Sequence, residues 1–170
     1  MAHHARPQVL NPELQIVSGR ADKSPGVDLI EAELHDLAVR YGAEDEPDGL
    51  APNQMAPPDG VFFIAWRDGV AVGCGGLRRS RQFDGAGEIK RMYVTDEARR
   101  TGVGRAVLAA LESEAARLGY QRLVLETGTA QPEAIGLYES AGYEIVEPFG
   151  IYRDSPLSRC YAKVLDAAGR

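Results

Sequence analysis

Cysteine and histidine are both scarce in this sequence. The two cysteines, Cys74 and Cys160, lie far apart, and neither belongs to a CxxC pair or to a Cys/His cluster with metal-ligand spacing. The three histidines, His3, His4 and His35, are scattered in the same way. The sequence therefore has no signature of a metal site, and its low cysteine content is typical of a reducing compartment. Both observations favour a cytoplasmic protein without a metal cofactor.

Long hydrophobic runs and an excess of positive charge are also missing. No run of 18 apolar residues occurs, whereas a membrane-spanning helix needs about 20. The opening residues, Met-Ala-His-His-Ala-Arg-Pro, lack the apolar region of a secretory signal. Nineteen basic against 25 acidic residues give a net charge of −6, and a negative field repels phosphate backbones. We therefore expect neither a membrane nor a nucleic acid as partner.

The overall composition is that of a single folded domain. Hydrophobic residues make up 44% of the 170 positions, and the 19 glycines and 10 prolines are too few for a low-complexity chain. A chain of this length buries roughly 70% of its unfolded surface, so it needs no disulfide or metal for stability. We expect one domain over residues 1–170, with residues 1–10 flexible.

Charge is distributed unevenly along the chain. Residues 78–105 carry eight bases and four acids, whereas residues 28–59 carry nine acids and Arg40 as their one base. The basic stretch could bind a small polyanion. The acidic stretch is either a set of solvated helix faces or a surface that attracts a cation, and the sequence leaves both open.

Hydrophobic periodicity predicts a mixed α/β sheet with helices on both faces. One helix spans residues 27–41, with Ile30, Leu34, Leu37 and Tyr41 on its apolar face, and a proline-broken stretch follows at residues 44–60. Asp68-Gly69 joins a β-hairpin. A second helix ends at Gly119, and a third begins at Pro132 and ends before Gly142. The predicted strands are 13–20, 61–66, 70–77, 88–95, 121–127, 143–146 and 158–165, and the second helix is 102–118.

A glycine-rich, basic turn precedes the second helix. Its sequence is Arg99-Arg100-Thr101-Gly102-Val103-Gly104-Arg105. Two residues without a Cβ atom let several N–H groups at a helix start face one anion, which the helix dipole also attracts. Neither the P-loop nor the dinucleotide fingerprint is matched. The turn is thus a candidate pyrophosphate site, with an ordinary loop before a basic helix as the alternative.

From Val61 to about Leu165 the sequence resembles the GNAT superfamily of acyl-CoA-dependent N-acetyltransferases. Two motifs in the expected order carry the resemblance: Arg99-x-x-Gly102-x-Gly104 and Ala134-Ile135-Gly136-Leu137-Tyr138-Glu139-Ser140-Ala141-Gly142-Tyr143. It implies the GNAT fold, an α/β fold with a mixed, mostly antiparallel twisted sheet of about six to seven strands, splayed between strands 4 and 5. It also implies acetyl-CoA as cofactor.

The resemblance assigns most of the expected cofactor contacts. It implies that the amides of residues 99–105 cradle the pyrophosphate of coenzyme A. It further implies that the backbone of Met92, Tyr93 and Val94 binds the pantetheine arm as an added strand would. Gln131 stands where many relatives have an asparagine that touches this arm, so its contact is an expectation from amide chemistry alone.

The catalytic candidates follow from the chemistry of acetyl transfer. The resemblance implies that Tyr138 faces the thioester sulfur, where its hydroxyl, with a pKa of about 10, could protonate the leaving thiolate. Glu88 is the expected base, since family members often have a glutamate there; a surface acid paired with Arg78 or Lys90 is the alternative. Glu126 is the reserve base. Strand alternation predicts that at most one of Lys90 and its neighbour Arg91 faces the acceptor.

The sequence predicts an enzyme that moves an acetyl group from acetyl-CoA to the primary amine of a small molecule by direct attack in a ternary complex. The alternatives are a non-catalytic acyl-CoA-binding sensor and an enzyme that acetylates a protein lysine or N-terminus. Because the superfamily contains many dimers, a homodimer is compatible with the resemblance. The identity of the acceptor stays open.

Overall fold

The structure, a computed structural model, describes residues 13–42 and 50–166. Within these residues each predicted strand and helix is present, with ends shifted by a few residues. The expectations for residues 1–10, and for residues 44–49 of the proline-broken stretch, lie outside the described residues. The elements are β1 (Gln15–Ser18), α1 (Gly26–Tyr41), β2 (Val61–Arg67), β3 (Val70–Arg79), β4 (Ala86–Val94), α2 (Val103–Arg117), β5 (Arg122–Gly128), α3 (Pro132–Ser140), β6 (Glu144–Val146) and β7 (Ser158–Val164), with 3₁₀ turns at Pro52–Met55 and Asp96–Ala98.

The strands form one seven-stranded sheet in the order β1-β2-β3-β4-β5-β7-β6. The β4–β5 pair is parallel, and the other neighbouring pairs are antiparallel. The hairpin between β2 and β3 turns on Asp68 and Gly69, whose φ angles of 52° and 75° are those of a type I′ turn. The predicted mixed, mostly antiparallel sheet and the hairpin are both confirmed.

Helices cover both faces of the sheet, as the strand pattern predicts. On β2, Val61 and Ala65 join the core that contains α2, whereas Phe62 and Ile64 join the core under α1. Period-two alternation therefore supplies each face with its own apolar layer. On α2, the apolar spacing predicts Val103, Val107, Leu111, Ala115 and Leu118 inward; the first four are buried, and Leu118 is partly buried.

The parallel pair opens part of the way along its length. Paired positions run from Ala86 with Arg122 to Ile89 with Leu125 and end there. Strand β4 continues to Val94 and β5 to Gly128, so the ends of these two strands do not pair with each other. The splay between strands 4 and 5 is confirmed, and it leaves a gap that reaches both faces of the sheet.

A bulge in β4 interrupts the strict alternation from which at most one of Lys90 and Arg91 is expected to face the acceptor. Between the paired positions Gly76–Lys90 and Cys74–Tyr93, β4 has one residue more than β3. Arg91 takes up the difference with a φ of 58°, a conformation that is uncommon outside glycine. Strict alternation ends at this residue, and Lys90 and Arg91 both line the same cavity.

The buried face of α1 also differs from the predicted one. Gly26, Leu29 and Glu33 are its buried residues, whereas Ile30 and Leu34 are only partly buried. The apolar pattern misplaced the face because the helix packs a carboxylate, Glu33, toward a cavity of mixed lining rather than toward a uniformly apolar core.

The face of the sheet under α1 contains a buried ion pair. Arg78 donates through Nε and Nη2 to Glu88 Oε1 at 3.0 and 2.6 Å, and both side chains are at most 7% exposed. Gln54 accepts a further bond from the same guanidinium. Removing one member of such a pair leaves a buried charge without its partner.

We expect Arg78→Met to lower the free energy of unfolding by about 3–5 kcal/mol, because Glu88 would lose the charge that compensates it. Urea titration measures the change. The matched control is Arg79→Met, which breaks the exposed ion pair of the next residue with Asp59 and is expected to change stability little. Equal effects of the two substitutions would contradict a stabilising role for the buried pair.

Candidate functional site

The gap between β4 and β5 opens into a cavity of about 480 Å³. This volume is within the range of small-molecule sites. Helix α1, the open ends of β4 and β5, helix α3 and the connection from β6 to β7 form its walls. The lining residues are Glu33, Leu37, Tyr41, Ile89, Lys90, Arg91, Met92, Glu126, Thr127, Gly128, Gln131, Tyr138, Tyr152, Ser155, Leu157 and Ser158.

Tyr138 of α3 is buried, yet it contributes to the cavity wall. Its ring packs edge-on against Tyr143 at a centroid distance of 5.8 Å and lies 6.5 Å from Tyr161. Within residues 13–42 and 50–166 its hydroxyl makes no hydrogen bond. Burial and the nearby Glu33 carboxylate raise the pKa of this hydroxyl, so it holds its proton at neutral pH.

Glu126 lies on β5, just past the last residue paired with β4, and its carboxylate borders the cavity. The pKa of Glu126 is raised to about 7. Burial is the main cause, the Glu88 carboxylate also raises it, and the nearby Lys90 lowers it. The Cys160 thiol lies 3.9 Å from Glu126 Oε2. A carboxyl group that is half ionised near neutral pH is suited to accept a proton from a substrate.

Glu88, the expected base, occupies a different environment. It belongs to the paired part of β4, its carboxylate is bound to Arg78, and it is not among the residues that line the cavity. Its position corresponds to the alternative of an acid paired with Arg78, although the pair is buried rather than on the surface. Of the two candidate bases, the structure brings Glu126 together with Tyr138 at one cavity.

The turn before α2 presents a row of unpaired main-chain donors. Among the described residues, none of the N–H groups of residues 100–105 donates to a backbone carbonyl. Arg100 and Gly102 have φ angles of 64° and 88°, and alternation of left- and right-handed conformations turns successive N–H groups to one side. The turn therefore has the geometry of an anion site at a helix N-terminus.

The side chains of this turn are largely engaged with the protein. Arg99 Nη1 pairs with Asp96 at 2.9 Å, its Nη2 lies 3.5 Å from Asp36, and its Nε donates to the Val94 carbonyl. Arg105 donates to the Ser140 hydroxyl, and Arg67 donates to Thr101 Oγ1. Positive charges thus surround the turn, next to the main-chain N–H groups of residues 100–105.

The remaining predicted contacts lie between the turn and the cavity. Met92, Tyr93 and Val94 form the end of β4 that has no β5 partner. Gln131 is the residue before α3, borders the cavity, and accepts a hydrogen bond from the Tyr41 hydroxyl at 3.0 Å. The end of β4 therefore connects the anion site to the cavity, with an open strand edge along the way.

Helix α1 supplies a wall that the sequence did not identify as part of the site. Glu33, Leu37 and Tyr41 recur every four residues and border the cavity. The same spacing in the sequence could have indicated a shared face, but the acid at its first position obscured the pattern. A Cβ atom on Gly128 would come within 2.0 Å of the Tyr41 hydroxyl, so this glycine permits the close approach of α1.

Two classes of site are not found in the described part of the chain. No helix among these residues has the length and apolar character to cross a bilayer. Residues 13–42 and 50–166 also contain no group of three or more histidine, cysteine, aspartate or glutamate side chains that could hold a metal ion.

Comparison with known proteins identifies the family. Residues 28–143, more than half of the chain, match the family described as "Acetyltransferase (GNAT) family". A protein named "IAA acetyltransferase" from Azospirillum brasilense is 41% identical over 139 residues, which cover 82% of this chain and 90% of that protein.

Solved structures agree with this match. A protein from Klebsiella pneumoniae subsp. pneumoniae, described as an acyl-CoA N-acyltransferase, has a TM-score of 0.73 at 30% identity and covers 90% of this chain and 98% of its own. A GNAT-family acetyltransferase from Elizabethkingia anophelis, solved with bound acetyl-CoA, has the same fold with a TM-score of 0.63 at 18% identity; the match covers 89% and 98% of the two chains. The chain belongs to the GNAT family and is an acetyltransferase with acetyl-CoA as its acyl donor.

Proposed function

We propose that this enzyme acetylates the primary amine of a small molecule by direct attack in a ternary complex. The observation that carries the proposal is the cavity at the open end of the β4–β5 pair, which both Tyr138 and Glu126 line. The Tyr138 hydroxyl holds a proton, and the Glu126 carboxyl group is suited to accept one. The residues expected from the sequence to bind the cofactor lead to the same cavity.

The anion turn and the open strand edge fit the shape and chemistry of acetyl-CoA. The unpaired N–H groups of residues 100–105 suit a pyrophosphate. The end of β4 offers main-chain groups to an extended amide-bearing arm, as an added strand would. We assign the cofactor contacts to Met92, Tyr93 and Val94, to the turn at residues 99–105, and to Gln131.

The chemistry requires a base, an acid and donors to a developing oxyanion. When bound, acetyl-CoA supplies a thioester carbonyl carbon that an amine can attack and a sulfur that departs as the C–S bond breaks. Glu126 takes a proton from the acceptor's ammonium group, which frees the nitrogen lone pair. Tyr138 gives its hydroxyl proton to the departing sulfur and regains one from the proton that the nitrogen loses once the C–N bond has formed. Main-chain N–H groups near Met92 and Tyr93 stabilise the negative charge on the carbonyl oxygen.

The walls of the cavity favour a small acceptor over a side chain of another folded protein. Arg40 and Tyr41, at the end of α1, bind the Ala130 carbonyl and the Gln131 side chain, which begin the approach to α3. Arg40 also forms an ion pair with Glu133. These contacts hold α1 across the splayed strands, so an acceptor must fit beneath the helix.

A non-catalytic acyl-CoA sensor would have the same cradle without turnover. Release of free thiol from acetyl-CoA, followed with a panel of small primary amines, separates the two functions. Amine-dependent release supports the enzyme, and mass spectrometry of the acetylated product excludes simple hydrolysis. If acetyl-CoA binds but no small amine causes thiol release, while lysines in added proteins become acetylated, the results would support the protein-acetylating alternative instead.

We expect Gly102→Ala to weaken acetyl-CoA binding about tenfold, as measured by calorimetry. A left-handed conformation costs a residue with a Cβ atom roughly 1–2 kcal/mol, and relaxation of this strain at φ 88° would turn the neighbouring N–H groups away from the anion. The matched control is Gly119→Ala. Gly119 follows the opposite end of α2 with a φ of 87°, and, like Gly102, it has no atom within 4 Å of the added Cβ. Equal losses of affinity in both variants would argue against a binding role for the turn.

A further inference from the structure

A buried serine beside the candidate base carries a further inference, which rests on the proposed function. Ser158 of β7 is 7% exposed and lines the same cavity as Glu126. We propose that Ser158 is a positioning residue for this base. Its hydroxyl donates a hydrogen bond to the Glu126 carboxylate and holds one carboxylate oxygen toward β7, so that the other oxygen faces the ammonium group of the acceptor.

The register of β5 against β7 places the two side chains together. Glu126 pairs with Cys160, and Gly128 pairs with Ser158. Side chains two residues apart on a strand share a face, and residues paired across neighbouring strands share it too. Ser158 is therefore the diagonal neighbour of Glu126 on one face of the sheet, at a separation that a long side chain can span. Gly128, the direct partner of Ser158, has no side chain to come between them.

The Glu126 carboxylate is turned toward β7 and the connection that precedes it. Its Oε2 atom lies 3.9 Å from the Cys160 sulfur and 3.4 Å from the place that a Cβ atom on Gly150 would occupy. The Ser158 hydroxyl lies close enough to this carboxylate and to the Cys160 thiol to lower the pKa of both groups. One oxygen of the base is thus on the side of β7, where Ser158 lies.

The Ser158 hydroxyl is buried and lacks a well-aligned partner. No group among residues 13–42 and 50–166 forms a hydrogen bond of normal geometry with its Oγ atom. A buried hydroxyl without a partner is unfavourable, and serine has one proton to donate. Hydrogen bonds at active sites are often poorly aligned before the substrate binds, and an ionised carboxylate accepts a stronger bond than a neutral group does. The Glu126 carboxylate is an acceptor that the register puts within reach.

Several other ionisable groups face Glu126, and their effects must be separated from that of Ser158. The charge of Lys90 and the Cys160 thiol lower the pKa of Glu126, and the charge of Glu88 raises it. In the described part of the chain, the remaining ionisable groups of the cavity wall are Glu33 and Tyr41 of α1, Arg91 of β4, Tyr138 of α3 and Tyr152 of the β6–β7 connection. Serine carries no charge, so replacing Ser158 with alanine leaves all of these charges in place. A change in the titration of Glu126 then reports the loss of the hydroxyl.

The test compares Ser158→Ala with Ser80→Ala in the pH profile of kcat/KM, followed as thiol release from acetyl-CoA. With a base whose pKa is about 7, this profile bends near pH 7. Loss of a donor to the ionised form raises a carboxyl pKa, so the bend should move up by about 0.5–1 pH unit in Ser158→Ala. The plateau above the bend should fall about tenfold, because the base is less well oriented.

Ser80 is the matched control because it is the other buried serine of the described residues. Its Oγ atom accepts hydrogen bonds from the N–H groups of Gln82 and Phe83, and it is not among the residues that line the cavity. Ser80→Ala should therefore change neither the bend nor the plateau. Ser158→Thr, which keeps a hydroxyl, should retain the original bend.

A direct titration makes the test independent of turnover. Carbon NMR of labelled glutamate carboxyl groups, with the Glu126 signal identified by its absence in Glu126→Gln, measures the pKa of this group in the resting enzyme. We expect a pKa of about 7 in the unmodified protein and the same upward shift in Ser158→Ala.

The outcomes separate this inference from the proposed function. An unchanged or lowered pKa of Glu126 in Ser158→Ala, or an equal rise in Ser80→Ala, would overturn the inference. A shifted bend with an unchanged plateau would overturn the positioning role. If the NMR titration shows the expected shift but no amine causes thiol release with the unmodified enzyme, the proposed function is overturned, and the hydrogen bond between Ser158 and Glu126 is supported.

Discussion

Tyr138→Phe should lower kcat by roughly 10- to 1000-fold, the range expected when a general acid is lost. The affinity for acetyl-CoA should change little, because the assigned cradle lies at residues 99–105. The aromatic ring, which packs against Tyr143 and Tyr161, stays in place. Steady-state kinetics and calorimetry measure the two effects. Normal turnover by this variant would show that Tyr138 is not the acid.

A neighbouring tyrosine offers the matched control. Tyr143 is also buried, its hydroxyl has no hydrogen-bond partner among the described residues, and it is not among the residues that line the cavity. Tyr143→Phe therefore removes a hydroxyl from the same aromatic cluster without removing one from the cavity. We expect near-normal kcat for this variant, and a loss equal to that of Tyr138→Phe would instead indicate a general disturbance of packing.

Glu126→Gln should lower kcat/KM for the amine about 100-fold at pH 8, as expected for a lost base. In the unmodified enzyme the ionised form of Glu126 accepts the proton. The pH profile of kcat/KM therefore bends near pH 7: it rises below this pH and levels off above it. The acceptor's ammonium titrates near pH 10, which separates its effect from that bend. We expect the bend to disappear in the glutamine variant. A bend that remains would assign the ionisation to another group.

Glu88→Gln distinguishes the two candidate bases. Glu88 raises the pKa of Glu126 through its charge, so its removal should move the bend to lower pH without abolishing it. The variant should also be less stable, since Arg78 loses its buried partner. If the bend instead vanished in Glu88→Gln and persisted in Glu126→Gln, the base would be Glu88, as the sequence first indicated.

Periodicity and turn chemistry were sufficient for most of the architecture. The hairpin at Asp68-Gly69, the helix that begins at Pro132 and the terminator Gly119 each depend on local residues, and each occurs where predicted. The mostly antiparallel sheet and the splay followed from the family resemblance. Neither could be derived from the residues alone, because strand pairing depends on contacts between distant segments.

The acceptor side of the site was less predictable for physical reasons. The bulge at Arg91 inserts one residue into a strand, and nothing in the local sequence marks it. Glu33 is a buried acid on a helix face, where hydrophobic patterns predict apolar residues. The partner of Glu88 also depends on the register of β3 against β4, which pairs Arg78 with it. These features arise from tertiary contacts that single-strand or single-helix patterns do not contain.

The anion site assigned to the turn before α2 consists of main-chain N–H groups rather than side chains. Donors that belong to the peptide group are present whatever residue occupies the position, so exchanges at Arg100, Thr101 or Val103 leave them in place. Proline is the exception, because it removes the donor itself. Alanine substitutions at these three positions would thus under-report the role of the segment, and sequence changes there are compatible with unchanged binding of the ligand.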